Sequence, residues 1–317
     1  MILRNLHWAP RLPADVPLSL TLLLLALLLF SAAILTDIRQ IRSVLRNPEL
    51  LLLALLAVWL GPALLVRLAG WLVPLAVGEE ATAGLLVGLA LIASMPVANS
   101  SVGWTQNADG NLALGLALVL FSIVLSPWVT PHLLGFLSNS LSPRERDYCL
   151  TLVTRFSGRF FIVWVIFPTA AGLLGRYWLT PARVARHSGW FILVSAAALL
   201  LLNYVNSAPA LPSVFQKTPA PILITTLLLA IALCSIGLAM GWAIARALQS
   251  PPDTQSALLF GLSMKHTGLA LILAGSVLVE QPLAILLIAL ATLVQHLLAG
   301  ILQWFLLHRG RLPEIPS

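Results

Sequence analysis

The run Ser94-Met95-Pro96-Val97-Ala98-Asn99-Ser100-Ser101 decides how this chain is read. It stands inside an otherwise apolar stretch, 82–106, and sets a helix-breaking proline and small polar residues near the middle of a membrane crossing. Backbone groups freed by a proline find no water in hydrocarbon, so such a run must be buried in protein or line a wet cavity. A second stretch, 254–279, does the same: Ser263-Met264-Lys265-His266-Thr267-Gly268 interrupts Ala257–Leu262 and Leu269–Leu273. Lys265 lies about 11 residues beyond Asp253, roughly 16 Å at the helical rise, which is near the bilayer midplane and too deep for easy snorkelling.

Composition makes lipid the solvent for most of this surface. Of 317 residues, 59% are hydrophobic and 9% charged, a balance that one soluble core of this size cannot hide. The net charge of +7 comes from arginines scattered between apolar stretches, with no clustered basic face, so nucleic acid is not an expected partner. Cys149 and Cys234 fall on different segments and neither sits in a Cys-x-x-Cys or Cys/His spacing, so no disulfide framework, metal site or cofactor is expected.

Stretches of about 20 apolar residues, enough to cross roughly 30 Å of hydrocarbon, lie near 18–37, 49–72, 82–106, 111–137, 149–175, 188–207, 219–246, 254–279 and 281–307. The expected architecture is an all-α polytopic membrane protein of about nine spans, preceded by an extramembrane segment, 1–17, and followed by a tail, 308–317. Nine spans put the termini on opposite sides. One face carries nine arginines: Arg39, Arg42, Arg46, Arg176, Arg183, Arg186, Arg246, Arg309 and Arg311. The other carries six basic residues, Arg4, Arg11, Arg67, Arg144, Arg146 and Lys217. The positive-inside rule then places the C-terminus in the cytoplasm and the N-terminus outside; the expected location is the plasma (inner) membrane.

The two interruptions hold matching places in the order of spans. Residues 138–307 read as a five-helix repeat whose fourth member is interrupted, and 18–137 as a repeat of four helices that lacks its first. Paired broken helices at corresponding positions of two halves point to a secondary-transporter binding site, with half-helix N-termini facing an anionic substrate.

At these helices the chain resembles the bile acid:sodium symporter family. The first shows Pro96, Ser101, Thr105 and then Ala108-Asp109-Gly110-Asn111-Leu112-Ala113-Leu114, and the next span shows Ser126-Pro127 and Thr130-Pro131. The second opens Asp253-Thr254-Gln255-Ser256-Ala257-Leu258 and closes Thr267-Gly268-Leu269-Ala270, with His296 and Gly300 following in the last span. The resemblance implies inverted five-helix repeats, split into a panel domain and a core domain that contains two crossed, discontinuous helices. It also implies positions for sodium ligands, which here read Val58, Ser101-Val102, Gly115, Val119, Gly261 and Lys265. Of these Ser101 alone keeps the family's ligand residue. A hard cation needs several oxygens, so the usual sodium sites are expected to be absent, with the Lys265 ammonium standing where sodium would.

The candidate substrate residues are Asn99, Ser100, Ser101, Thr105, Lys265, His266, Thr267 and His296, with Lys265 also the candidate for coupling. Six of them have a plainer reading. Asn99, Ser100 and Ser101 can cap a proline kink, the two histidines can be hydrogen-bonded interior residues, and Lys265 can be a chance buried pairing. Depth in the membrane favours function for Lys265. Arg155 and Arg159, four apart on one helical face, read as snorkelling residues, and Glu79-Glu80 and Arg144-Glu145-Arg146-Asp147 as solvated loop charges.

The expected function is a secondary transporter of a small organic anion, proton-coupled or uncoupled through Lys265. Two alternatives are a transport-inactive sensor or scaffold on the same fold and a sodium symporter with non-standard ligands. No His-Glu-x-x-His, Gly-x-Ser-x-Gly or Asp-rich metal motif speaks for an enzyme, and no filter sequence for a channel.

Overall fold

The computed structural model of the chain describes residues 20–35, 44–45, 48–139, 141–156, 162–207, 216 and 218–308. The segment 1–17, the first-loop residues Arg39, Arg42 and Arg46, and also Arg159, Lys217 and the arginines of the tail, lie outside them. All the elements described are helices: α1 (Leu20–Leu35), α2 (Pro48–Val77), α3 (Glu79–Ser94), α4 (Ser100–Asn107), α5 (Leu112–Ser138) and α6 (Pro143–Phe156), followed by α7 (Ile162–Trp178), α8 (Pro181–Ser207), α9 (Ala220–Ala247), α10 (Pro252–Ser263), α11 (Thr267–Val277) and α12 (Pro282–His308). Four of them, α2, α5, α9 and the Pro282–Leu306 part of α12, are long and apolar enough to cross a membrane, and shorter apolar helices accompany them.

The outer surface is what lipid requires. Leu52, Leu56, Leu60, Leu64, Leu68 and Leu72 recur every fourth residue along α2, and each is more than half exposed. This single leucine ridge runs roughly 30 Å, the thickness of the hydrocarbon layer. The opposite face of α2, including Ala54, Val58, Pro62, Val66 and Ala69, is buried. Exposed Trp71, Trp178 and Trp304 stand near helix ends, where an aromatic ring meets both headgroups and hydrocarbon. This is an integral membrane protein.

Helix α1 packs on both α7 and α8. The other helices form a second group, and the first group meets it through α11 and α12. Within the second group, backbones come close where side chains are missing. A Cβ on Gly88 would fall 2.8 Å from Ala284 Cα, so Gly84-Leu85-Leu86-Val87-Gly88 lets α3 press against the start of α12. A Cβ on Gly237 would lie 2.6 Å from Ser263 Cα, and one on Gly241 2.8 Å from the Leu258 carbonyl oxygen, so a second glycine pair seats α10 on α9. Small residues four apart are the usual means of close helix approach where burial of apolar surface supplies no drive.

Of the stretch read as one span, 149–175, the structure describes the parts within Pro143–Phe156 and Ile162–Trp178, and 157–161 lie outside the described residues; α6 packs on α5, whereas α7 packs on α1. One expectation is corrected here: the charges read as loop residues instead open helices. Glu79 begins α3, and Arg144 to Asp147 form the first turns of α6. The Glu145 carboxylate accepts a hydrogen bond from the Ser142 N–H at 2.7 Å, half of a capping box that the Ser-x-x-Glu spacing encodes. Acidic groups in a first turn also complement the helix dipole.

Candidate functional site

The chain leaves helical geometry at Met95, whose backbone is extended, one residue before Pro96, because proline disfavours helix in its predecessor. It leaves helix again at Met264. Between α3 and α4, and between α10 and α11, the two freed segments run antiparallel to each other. Val97 and Lys265 form a β-bridge, the Ala98 N–H donating to the Met264 carbonyl at 3.0 Å and the His266 N–H to the Pro96 carbonyl at 2.9 Å. Side chains take the next groups: Val97 N–H donates to Ser122 Oγ at 3.0 Å, and Lys265 N–H to Gln295 Oε1 at 3.1 Å.

The C-terminal carbonyls of α3 have no helical donors and would be costly to bury bare. Those nearest the break find partners. Ser94 oxygen accepts from Thr130 Oγ1 at 2.7 Å and from Trp59 Nε1 at 3.2 Å. Ala93 oxygen, at 3.3 Å, and Met95 oxygen, at 3.1 Å, both accept from Lys265 Nζ, which also donates to the carbonyl of Val58 on α2. Lys265 is 2% exposed, and its Nζ lies among three carbonyls at the negative end of a half-helix, an arrangement complementary to a positive charge.

Around this cage the structure brings some of the sequence candidates together and parts others. His266 caps α11: its Nδ1 accepts from the Leu269 N–H at 3.2 Å, so the ring proton sits on Nε2, which is buried with no hydrogen-bond partner. Both side-chain polar atoms of Asn99 and the Oγ of Ser101 are likewise buried and unpartnered. Thr267 Oγ1 accepts from Gln295 Nε2 at 3.4 Å, and Thr105 turns back on its own helix, donating to Ser101 oxygen at 2.8 Å. Ser100 stands half-buried in the first turn of α4. His296 belongs to another cluster, where its Nδ1 accepts from Trp104 Nε1 at 3.2 Å while Trp104 stacks on Phe260. No group of three or more His, Cys, Asp or Glu able to hold a metal ion occurs among the described residues, and Cys149 and Cys234 are buried free thiols.

Sequence reading missed Gln295, Ser122, Trp59 and the Val58 carbonyl. A backbone oxygen carries no signature of its own; the one available sign was Pro62, four residues on, whose missing N–H leaves that oxygen without its helical donor.

Comparison with known families matches residues 22–217 to the Sodium Bile acid symporter family. The chain belongs to this family. No curated protein matches it. The matched region of this sodium bile acid symporter family member includes the first interrupted segment and stops before α9, so Lys265 and its neighbours lie beyond it. At the positions the resemblance assigns to sodium ligands, Val58 and Val119 carry no side-chain oxygen, nor do Gly115 and Gly261. A Cβ on Gly261 would lie 2.7 Å from Leu118 Cδ1, so leucine fills the space that a longer side chain there would enter.

Proposed function

We propose that this protein is a secondary transporter of a small organic anion that works without sodium, either proton-coupled or uncoupled, with the Lys265 ammonium as its internal cation. Membership of a transporter family supports the first part. The observation that carries the second is the seat of Lys265 Nζ among the carbonyls of Val58, Ala93 and Met95. A bound cation at the end of a half-helix neutralises carbonyl dipoles and joins the segments that supply them. A tethered ammonium does both and cannot dissociate. The remaining sodium-ligand positions do not fit a cation held by side-chain oxygens, since Ser101 alone offers one that is not already used.

In this reading the chain crosses the bilayer nine times. Helices α1, α7 and α8 form the panel and the rest the core, α3/α4 and α10/α11 being crossed discontinuous helices of two inverted repeats. The anion is held beside the crossing by Asn99 Nδ2, Ser101 Oγ and His266 Nε2, donors that have no partner within the protein. Lys265 supplies charge from behind, its protons being in use, and Ser100, Thr105, Thr267 and His296 shape the surroundings.

The test is uptake of a panel of organic anions into proteoliposomes, with sodium exchanged for potassium or choline and the pH gradient set separately. Saturable uptake indifferent to sodium is the expected result, and uptake that requires sodium would overturn the reading. The full saturation of Lys265, which ties α2, α3 and the second break into one block, favours a second reading as a transport-inactive sensor or scaffold. Anion binding without flux would decide for that one.

A further inference from the structure

Of the three carbonyls around Lys265 Nζ, two are helix-end groups that need a donor in any case. The third is different. Val58 lies well inside the 30-residue helix α2, where a carbonyl oxygen normally accepts from the N–H four residues on. That residue is Pro62, which has no N–H. At Pro127 of α5 the same vacancy is repaired locally: the Ile123 oxygen accepts from Ser126 Oγ, one residue before the proline, at 2.7 Å. No such repair is open at Pro62. The preceding residue is Gly61, and a Cβ there would already lie 3.1 Å from Met240 Cγ on α9. The donor comes instead from Lys265, 207 positions away.

We infer that Pro62 is a positioning residue for Lys265: by removing the helical donor of Val58 it builds the third oxygen of the ammonium's cage and so ties α2 to the second helix break. The inference concerns the cage and holds whatever solute, if any, is carried. A proline inside a helix is strongly unfavourable relative to alanine, so if the residue had no partner its replacement should stabilise α2. The cage reverses that sign, because an N–H restored at position 62 competes for the Val58 oxygen, draws that carbonyl back along the helix axis and weakens one of the three contacts of the ammonium in a place with no water to replace it.

The experiment is a double-mutant cycle on the full-length chain in detergent, with Pro62→Ala, Lys265→Met and the pair, read by the apparent unfolding temperature from tryptophan fluorescence. Pro62→Ala alone is expected to lower that temperature by about 3 °C or more, whereas in the Lys265→Met background it should raise it by a similar amount. If the single Pro62→Ala protein fails to fold and the double variant folds, the reversal is present in its strongest form. A change of the same sign and size in both backgrounds, or a double variant less stable than Lys265→Met, overturns the inference.

Discussion

Val97 and Lys265 face each other across an antiparallel backbone bridge, flanked by hydrogen bonds of 2.9 and 3.0 Å, at the point where both helices are broken. Two strands one residue long would not hold by themselves. What fixes this contact is that each side is also tied elsewhere, Val97 N–H to Ser122 on α5 and Lys265 to Gln295 on α12 and to the carbonyls of α2 and α3. Four helices therefore converge on one pair of residues, and the predictions below follow from that convergence.

Sodium should not matter to the native protein. Unfolding temperature and anion flux in sodium chloride are expected to equal those in potassium or choline chloride at the same ionic strength. A saturable, sodium-specific rise in either would show that the ammonium has not taken the place of the ion.

Lys265→Gln should create a dependence that the native chain lacks. The carbonyls of Val58, Ala93 and Met95 lose their shared cation, and the amide oxygen adds a further possible ligand, a donor set suited to a hard monovalent ion. In choline the variant is expected to unfold several degrees below the native protein, and sodium should restore part of the loss in a saturable way. A variant equally stable in both salts would make Lys265 a packing residue.

Ser101→Ala should separate stability from binding. The Oγ has no hydrogen-bond partner, so its removal breaks nothing within the fold and should shift stability by less than about 1 kcal/mol. If that hydroxyl faces the anion, affinity should fall about tenfold, the worth of one lost hydrogen bond in a dry site. Titration of the anion found in the uptake screen checks this, and unchanged affinity would assign Ser101 to the kink alone.

The glycine contacts predict opposite outcomes for one substitution at different sites. Gly88→Ala drives a methyl into the α12 backbone and Gly237→Ala one into α10, each expected to cost about 1–3 kcal/mol or more. Gly135→Ala, on α5, meets nothing within 4 Å and should stabilise its helix by roughly 0.5–1 kcal/mol. Unfolding temperatures of the three variants decide it, and a similar loss at all three would mean that the close approaches are not tight.

The amino-acid sequence by itself determined that this is an integral membrane protein of the sodium bile acid symporter family, because hydropathy and proline geometry act over a few neighbouring residues. The ridge of leucines on α2 and the departure from helix at Met95 are of that kind. Charge near a helix end proved less legible: Arg144 to Asp147 suit a loop and a first turn equally, and the cap by Glu145 settles which. Only the tertiary structure decided which groups Lys265 meets, why Val58 matters for its carbonyl rather than its side chain, and which glycines stand where two backbones touch. A buried donor must be satisfied by whatever acceptor the fold brings within about 3 Å, and that acceptor can lie anywhere along the chain, so no local pattern encodes it.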